Sequence, residues 1–501
     1  MAGKKDSAPV PIVEWVAPEG GVWRTIPIHK LPPTAIYDAE NVTFRNGEVK
    51  VRSGLATYAS PISAAARVTG AHYFPRTGAA HVTVFGTNTG LYMIDPSSAI
   101  VNLTGVDVLT GADSNLNQFT TIVIGSPSTA NIVQGNGKDP IQYWDGVVAT
   151  FVECACSPPI FSDLVTAFDR IVGITPPYTV RWGEARSLSQ WPELNARNLI
   201  DSEDPVVAIR NIGTMNVIVY KEQSIWAGMA RGGSSAQAFS FELRGFYDGP
   251  ANPAAITAVD NVHYYMTKEG RIGAYDGRTH QWVGDGVWAK ISALIDKTKQ
   301  YAIAAVYDPT THEVLFTYPK TTDSTYSTGL VILTLPRPQF GIKSFGAWPG
   351  SWLVPISTMV RTKHADNSDG VVAFRATAGS FNVTKLTPLV GDLGTPFNCL
   401  WQSGLTPTPD LGIMRPELET FVFRAAMAGN VTAKLTSTYL LDTVSGTLSD
   451  GQTISLSNVE PIEKKAFSAV KGRFFGYQYS CTSTDLLSWR GALLHGRKVE
   501  E

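Results

Sequence analysis

"NVHYYMTKEGRIGAYDG" (residues 261–277) reads as two short strands around a polar, Gly-containing turn, the second strand closing on an aromatic residue and an aspartate. Apolar residues on either side of such a turn are the pattern of a β-hairpin. The same plan recurs in "HVTVFGTNTGLYMID" (81–95) and "NIVQGNGKDPIQYWDG" (131–146), and in degenerate form over 169–185, 216–229, 312–337 and 370–386. The hairpins at 169–185 and 216–229, with "PVVAIRNIG" between them, combine into one four-stranded sheet. Grouped this way, about six sheets fill residues 60–390 at a spacing of roughly 50 residues, which is a propeller-blade period. Counting the two halves of 165–230 as separate blades gives seven instead. One small sheet cannot bury both of its faces, whereas radial stacking buries them and leaves only short, protected edges. The expected fold is all-β, with a β-propeller of about six blades.

Composition agrees with turn-rich β-structure. Charged residues are 17% of the chain, below the roughly 25% of an average domain, while 45 Gly and 31 Pro supply turns. At 501 residues the chain exceeds one ordinary core, so more than one packed unit is expected. The formal charge of −2, with no run of like charge, argues against a broad basic surface for gripping nucleic acid. No stretch reads as a secretory signal or approaches the ~18 apolar residues of a membrane helix. Four cysteines are too few to staple a chain of this length, which fits assembly in a reducing cytoplasm.

Beyond about residue 390 the character changes. "VGDLGTPFNCLWQSGLTPTPDLGIMRP" (390–416) is rich enough in Gly and Pro for a domain junction, and 417–456 and 472–497 alternate with period two like a small β-sandwich. "WAKISALIDKT" (288–298) is one of few helical patterns. The division expected is 1–60, 61–390 for the propeller, and 391–501.

Within the first segment, "AENVTFRNGEVKVRSGLATYA" (39–59) holds an Asn-Gly pair between two short apolar runs. A type I′ turn at Asn46-Gly47 sets Arg45 opposite Glu48, Phe44 opposite Val49, Thr43 opposite Lys50 and Val42 opposite Val51. Phe44, Val42, Val49 and Val51 then share the buried face, and Arg45 and Glu48 can pair on the other.

The search for chemistry finds little. None of the eight histidines has a zinc-ligand partner at short spacing. Cys154 and Cys156 are expected on one face of a strand as free thiols, with no second ligand pair nearby. "QGNGKDP" (134–140) has Asp139 where a phosphate loop carries Ser or Thr, and "DNSDG" (366–370) lacks the glutamate of a calcium loop, so both read as turns. "STDLLSW" (483–489) is a defective, single copy of the Asp box that sialidase-type propellers repeat. Trp182, Trp191, Trp226, Trp282, Trp288, Trp348 and Trp352 suit either blade cores or sugar-stacking platforms. No catalytic residue, metal or cofactor is expected.

The early segment with Ala39, Asn41, Gly47, Arg52 and Gly54, ahead of a long β-rich body, resembles the tail nozzle proteins of short-tailed bacteriophages, also called packaged-DNA stabilisation or tubular tail B-type proteins. "FDRIVGITPPYTVRWGEARSLSQWPE" (168–193) with "VVAIRNIGTMNVIVYKEQSIWAG" (206–228) is similar to that family's central blade, and 470–497 to its C-terminal strand pair. The resemblance implies a structural virion protein, six copies of which surround the phage axis below an adaptor ring and portal, with tail fibres or tailspikes as neighbours. Double-stranded DNA would be retained in the lumen and slide through it on ejection without sequence recognition. A platform built from the N-terminal segment and the C-terminal region would carry the hairpin residues Asn41, Phe44, Asn46, Gly47, Val49, Arg52 and Gly54. The residues lining the DNA channel are unassigned. The alternatives are a host-surface or carbohydrate-binding propeller and a propeller glycosidase, which would need two carboxylates across a cleft.

Overall fold

A computed structural model describes residues 10–62, 67–125, 128–213, 216–231, 235–323, 326–337, 344–364, 366–377, 380–388, 391–408, 414–425, 429–438, 447–448, 452–456, 462–464, 473–482 and 487–498. Among them, seven four-stranded antiparallel units stand in a ring. Blade 1 runs outward from Val68–Phe74 through Val82–Thr87 and Leu91–Ile94 to Ile100–Asn102. Blades 2 to 5 repeat this order, with Gln118–Ile124, Asp163–Ala167, Val206–Ile212 and Ile256–Val259 as their central strands.

Blades 6 and 7 share one long strand, Gly346–Lys363. Its first part pairs with Ser327–Thr334 as the rim of blade 6, and its second part pairs with Asp369–Thr377 as the centre of blade 7. Gly54–Ile62 then completes blade 7 by pairing with Ser380–Thr387 before the chain enters blade 1. A ring closed by a strand from the other end of the chain leaves no weak seam between first and last blades.

The number of blades is seven, because 163–198 and 206–245 each hold four strands of their own. The inner strand Asp163–Ala167 is concealed in the sequence by its turn. Phe168 and Asp169 both adopt left-handed backbone, φ 49° and 54°, so this hairpin closes without the Gly or Asn that usually marks one.

The N- and C-terminal regions together form two further sheets. Val42–Arg45, Glu48–Val51 and Val10–Val16 join Leu487–Lys498, Met414–Ala425 and Ile462–Lys464 in one. Asp38–Glu40 joins Asn398–Gln402, Phe474–Thr482 and Gly429–Thr438 in the other. Trp15 and Trp489 from the first sheet meet Tyr477 of the second at ring-centroid distances of 5.2 and 4.9 Å, so the pair is a sandwich with an aromatic core. That core continues into Leu330, Trp348 and Ile356 of blades 6 and 7, so platform and propeller are fused over this side. The strand Gly54–Ile62 belongs to blade 7, which moves the first boundary from residue 60 to about residue 53. Among the described residues the one α-helix is Asp285–Leu294, which buries Val287 and Ile291 beside blade 5.

Candidate functional site: the motif joint and the propeller cavity

The Asn46-Gly47 hairpin has the register read from the sequence: Arg45 faces Glu48, Phe44 faces Val49, Thr43 faces Lys50 and Val42 faces Val51. Both turn residues have positive φ, 54° and 79°, as a type I′ turn requires. Val42, Phe44 and Val49 are buried, and Val51 packs on the same core. Arg45 departs from expectation. It passes over Glu48 and forks onto Glu313 of blade 6, Nε to Oε1 at 2.9 Å and Nη2 to Oε2 at 2.7 Å. Thr43 donates to the same carboxylate at 2.6 Å. Glu313, like Glu48, is buried, and the two parallel charge-assisted hydrogen bonds from Arg45 offset the cost of desolvating it. Glu48 lies 3.4 Å from Lys50 instead.

Asn41 is the pivot where the chain leaves one platform sheet, after Glu40, and enters the other, at Val42. Its φ of 57° is left-handed, a conformation Asn tolerates better than most side chains. Its amide donates to Asn398 O at 2.8 Å, while its Oδ1 accepts from Ser351 N at 2.9 Å and Arg52 Nε at 3.0 Å. A Cβ on Gly350 would lie 3.1 Å from that oxygen, so a side chain there would crowd the joint.

Arg52 sits at the centre and is 2% exposed. It grips Asp392 with Nη1 at 3.1 Å and Nη2 at 2.7 Å, and donates to Ser53 O and Ser351 O at 2.8 and 2.7 Å. Asp392 also accepts from Leu353 N at 2.9 Å. Phe397 and Trp352 flank the guanidinium, with centroids 3.7 and 4.6 Å from Cζ. Ala39 is fully buried opposite Trp401, and Gly54 opens the rim strand of blade 7 opposite Thr387. The structure thus gathers Ala39, Asn41, Arg52 and Gly54 around one joint, with Gly47 at the tip of the hairpin beside it. Asp392, Ser351 and Glu313 complete the contacts. Their only sequence signal is that Asp392 falls in the Gly/Pro-rich junction.

A second polar centre lies on the propeller axis. A cavity of about 340 Å³ is lined by the central strands of all seven blades. Arg210 of blade 4 spans it, reaching Asp163 of blade 3 at 2.5 Å, Gln118 of blade 2 at 3.4 Å and the Pro253 carbonyl at the entry to blade 5. Asp163 also accepts from the backbone N–H groups of Ile209 and Leu164, at 2.8 and 2.9 Å. Burial pushes its carboxyl up to about 6 in spite of Arg210 and these donors. Burial pushes His72, on the cavity wall, and His263, behind it, down to about 4. His263 is held by the Tyr220 hydroxyl at 2.9 Å and by Asn211 O at 3.2 Å.

Cys154 is buried, which together with Glu153 pushes its thiol up to about 12, whereas Cys156 is exposed at φ 63° beyond the strand end, so the two do not share a strand face. Asp139 in 134–140 accepts from Thr110 and Asn136 and closes a turn. Asp366 likewise accepts from Ser368 N in 366–370. In 483–489, residues 483–486 lie outside the described residues. Of the seven tryptophans, Trp182, Trp191, Trp226, Trp348 and Trp352 are core, while Trp282 and Trp288 reach the surface. Among the described residues no group of three or more His, Cys, Asp or Glu could hold a metal ion.

No protein-family model matches the chain, and no curated protein matches it. Among solved structures, it is similar to the computationally designed Ika8 protein at 13% identity and TM-score 0.36, covering 74% of this chain and 99% of that one. It is similar to the C-terminal WD40 domain of Sif2 at 9% identity and TM-score 0.36, covering 76% and 99%. The propeller assignment stands on the strand order and the seven-sided cavity described above.

Proposed function

We propose that the chain is a tail nozzle protein of a short-tailed bacteriophage, a structural component of the virion that acts without catalysis. The observation that carries this reading is the joint. Asn41, Arg52 and Gly54, three of the residues that carry the resemblance, converge from the N-terminal segment on the place where a composite platform is welded to a propeller. A nozzle must hold pressurised DNA, and a buried, doubly anchored joint resists hinging between platform and propeller.

The propeller cavity is not the DNA path on this reading. Arg210 ties four successive blades across it and so stands in the path that a duplex would take through the propeller. On this reading the conduit is, as the resemblance implies, the axis of a ring of six copies, with the platform docked on the adaptor below the portal and tail fibres or tailspikes alongside. A near-neutral chain suits a lumen through which DNA slides, because a strongly basic wall would hold phosphate through counterion release.

The test is to assemble particles without this chain. The expected product is filled heads that lose DNA and do not infect. Particles that keep their genomes and infect normally would reject the assignment.

A further inference from the structure

We propose that the rim of blade 5 carries a binding site for a neutral polysaccharide, formed by Tyr247, His280, Trp282, Arg271 and Trp288. This goes beyond the nozzle reading and does not depend on it. Tyr247 stacks on His280 at 4.3 Å and 24°, and His280 meets Trp282 edge-on at 4.6 Å. Arg271 lies 4.0 Å from the Trp282 centroid and 5.5 Å from that of Trp288. The result is a continuous row from the segment after blade 4, across the rim strand His280–Trp282, to the helix Asp285–Leu294.

Two features separate this row from ordinary packing. The rings at its ends are held in place while remaining open to solvent. Trp288 is 37% exposed with Nε1 bonded to Glu269 O at 3.1 Å. Tyr247 is 36% exposed and Phe246, beside it, 71%.

The second feature is the polar pattern between the rings. Tyr265 donates its hydroxyl proton to Asp248 O at 3.0 Å, so His280 Nε2, 2.8 Å away, is the N–H donor to that hydroxyl and Nδ1 keeps its lone pair. Arg271 is bonded to Asp285 at 3.1 Å, and Lys297 to Glu269 beside them, so the row mixes donors and acceptors with little net charge. Nucleic acid or an acidic glycan would need surplus cations. A neutral sugar chain needs the other arrangement: flat rings against the C–H faces of its pyranoses and paired donors and acceptors for its hydroxyls.

The test titrates the purified full chain with cellohexaose, maltohexaose and chitohexaose by calorimetry and tryptophan fluorescence, with oligo-dT and heparin as charged probes. Expected is saturable binding of at least one neutral hexasaccharide, weakened about tenfold or more in Tyr247→Ala and in Trp288→Ala and unchanged in Phe168→Ala, an exposed aromatic on blade 3. Both site side chains are partly exposed, and unchanged thermal unfolding verifies the fold of each variant. No saturable signal from any neutral probe at about 10 mM, equal binding by the two site variants and the parent, or tighter binding of oligo-dT or heparin would overturn the proposal.

Discussion

The arginine–aspartate pairs at the joint and on the propeller axis each bridge separately packed units, and their surroundings differ. Arg52–Asp392, at the joint, has side-chain exposures of 1% and 0%, two aromatic rings against the guanidinium, and hydrogen bonds on Nε, Nη1 and Nη2. Arg210–Asp163, on the propeller axis, has exposures of 18% and 1% and faces a cavity. The first pair links segments 340 residues apart and fixes one body to another. The second links neighbouring blades that also pack through their own apolar faces, such as Val172 and Ile174 against Val206, Ile209 and Val217. A charge with no route to water makes its partner indispensable, whereas a charge beside a cavity can be resolvated.

That contrast sets the sizes of the expected effects. Arg52→Met and Asp392→Asn should each cost about 3–5 kcal/mol in denaturant unfolding, because each strands the other partner in the core. Arg52→Lys should not rescue, since an ammonium cannot reproduce the fork onto Asp392, Asn41 and Ser351.

Acid should act on the axis. The folded pKa of His263, about 4, lies below its ordinary 6.5, so the unfolded chain binds a proton first. The stability His263 provides is complete above about pH 6.5 and is lost as pH falls toward 4, by roughly 3 kcal/mol. Asp163, pushed up to about 6, works in the opposite direction, its folded carboxyl taking up a proton first as pH falls from 6 toward the ordinary ~3.9. His263→Gln should therefore shrink the loss of urea resistance between pH 7 and 4.5. An unchanged loss would place the acid sensitivity elsewhere.

Asp163→Asn should cost less than either joint variant, about 1.5–3 kcal/mol, the range for a hydrogen bond to a charged group. A cost equal to that of Arg52→Met would erase the distinction between the two pairs. Smallest is Gly47→Val, at about 1–3 kcal/mol for a β-branched residue at positive φ. Nothing lies within 4 Å of the Cβ position, so the cost is backbone strain alone, and Gly47→Asn should recover most of it.

The sequence disclosed what is local. Asn46-Gly47 dictated the hairpin register, and the recurring strand–turn–strand units disclosed a propeller, because both depend on neighbours in the chain. Blade number was obscured where a turn formed on Phe168-Asp169, with Phe at a left-handed position usually held by Gly or Asn. The Arg45–Glu48 pairing read across the turn gave way to Glu313, and Arg52 found Asp392, through separations of 268 and 340 residues that no periodicity encodes. Tryptophans in core and at surface looked alike, since what separates Trp282 and Trp288 from the rest is their place on a rim strand and a helix.

The central claim is tested most directly by electron cryomicroscopy of intact virions with the tail reconstructed without imposed symmetry. The account predicts six copies of this chain around the tail axis, the Arg52–Asp392 joint intact in each, duplex density on the ring axis, and none through the cavity spanned by Arg210. A ring of another symmetry, a tail lacking the chain, or DNA threaded through the propeller itself would contradict it.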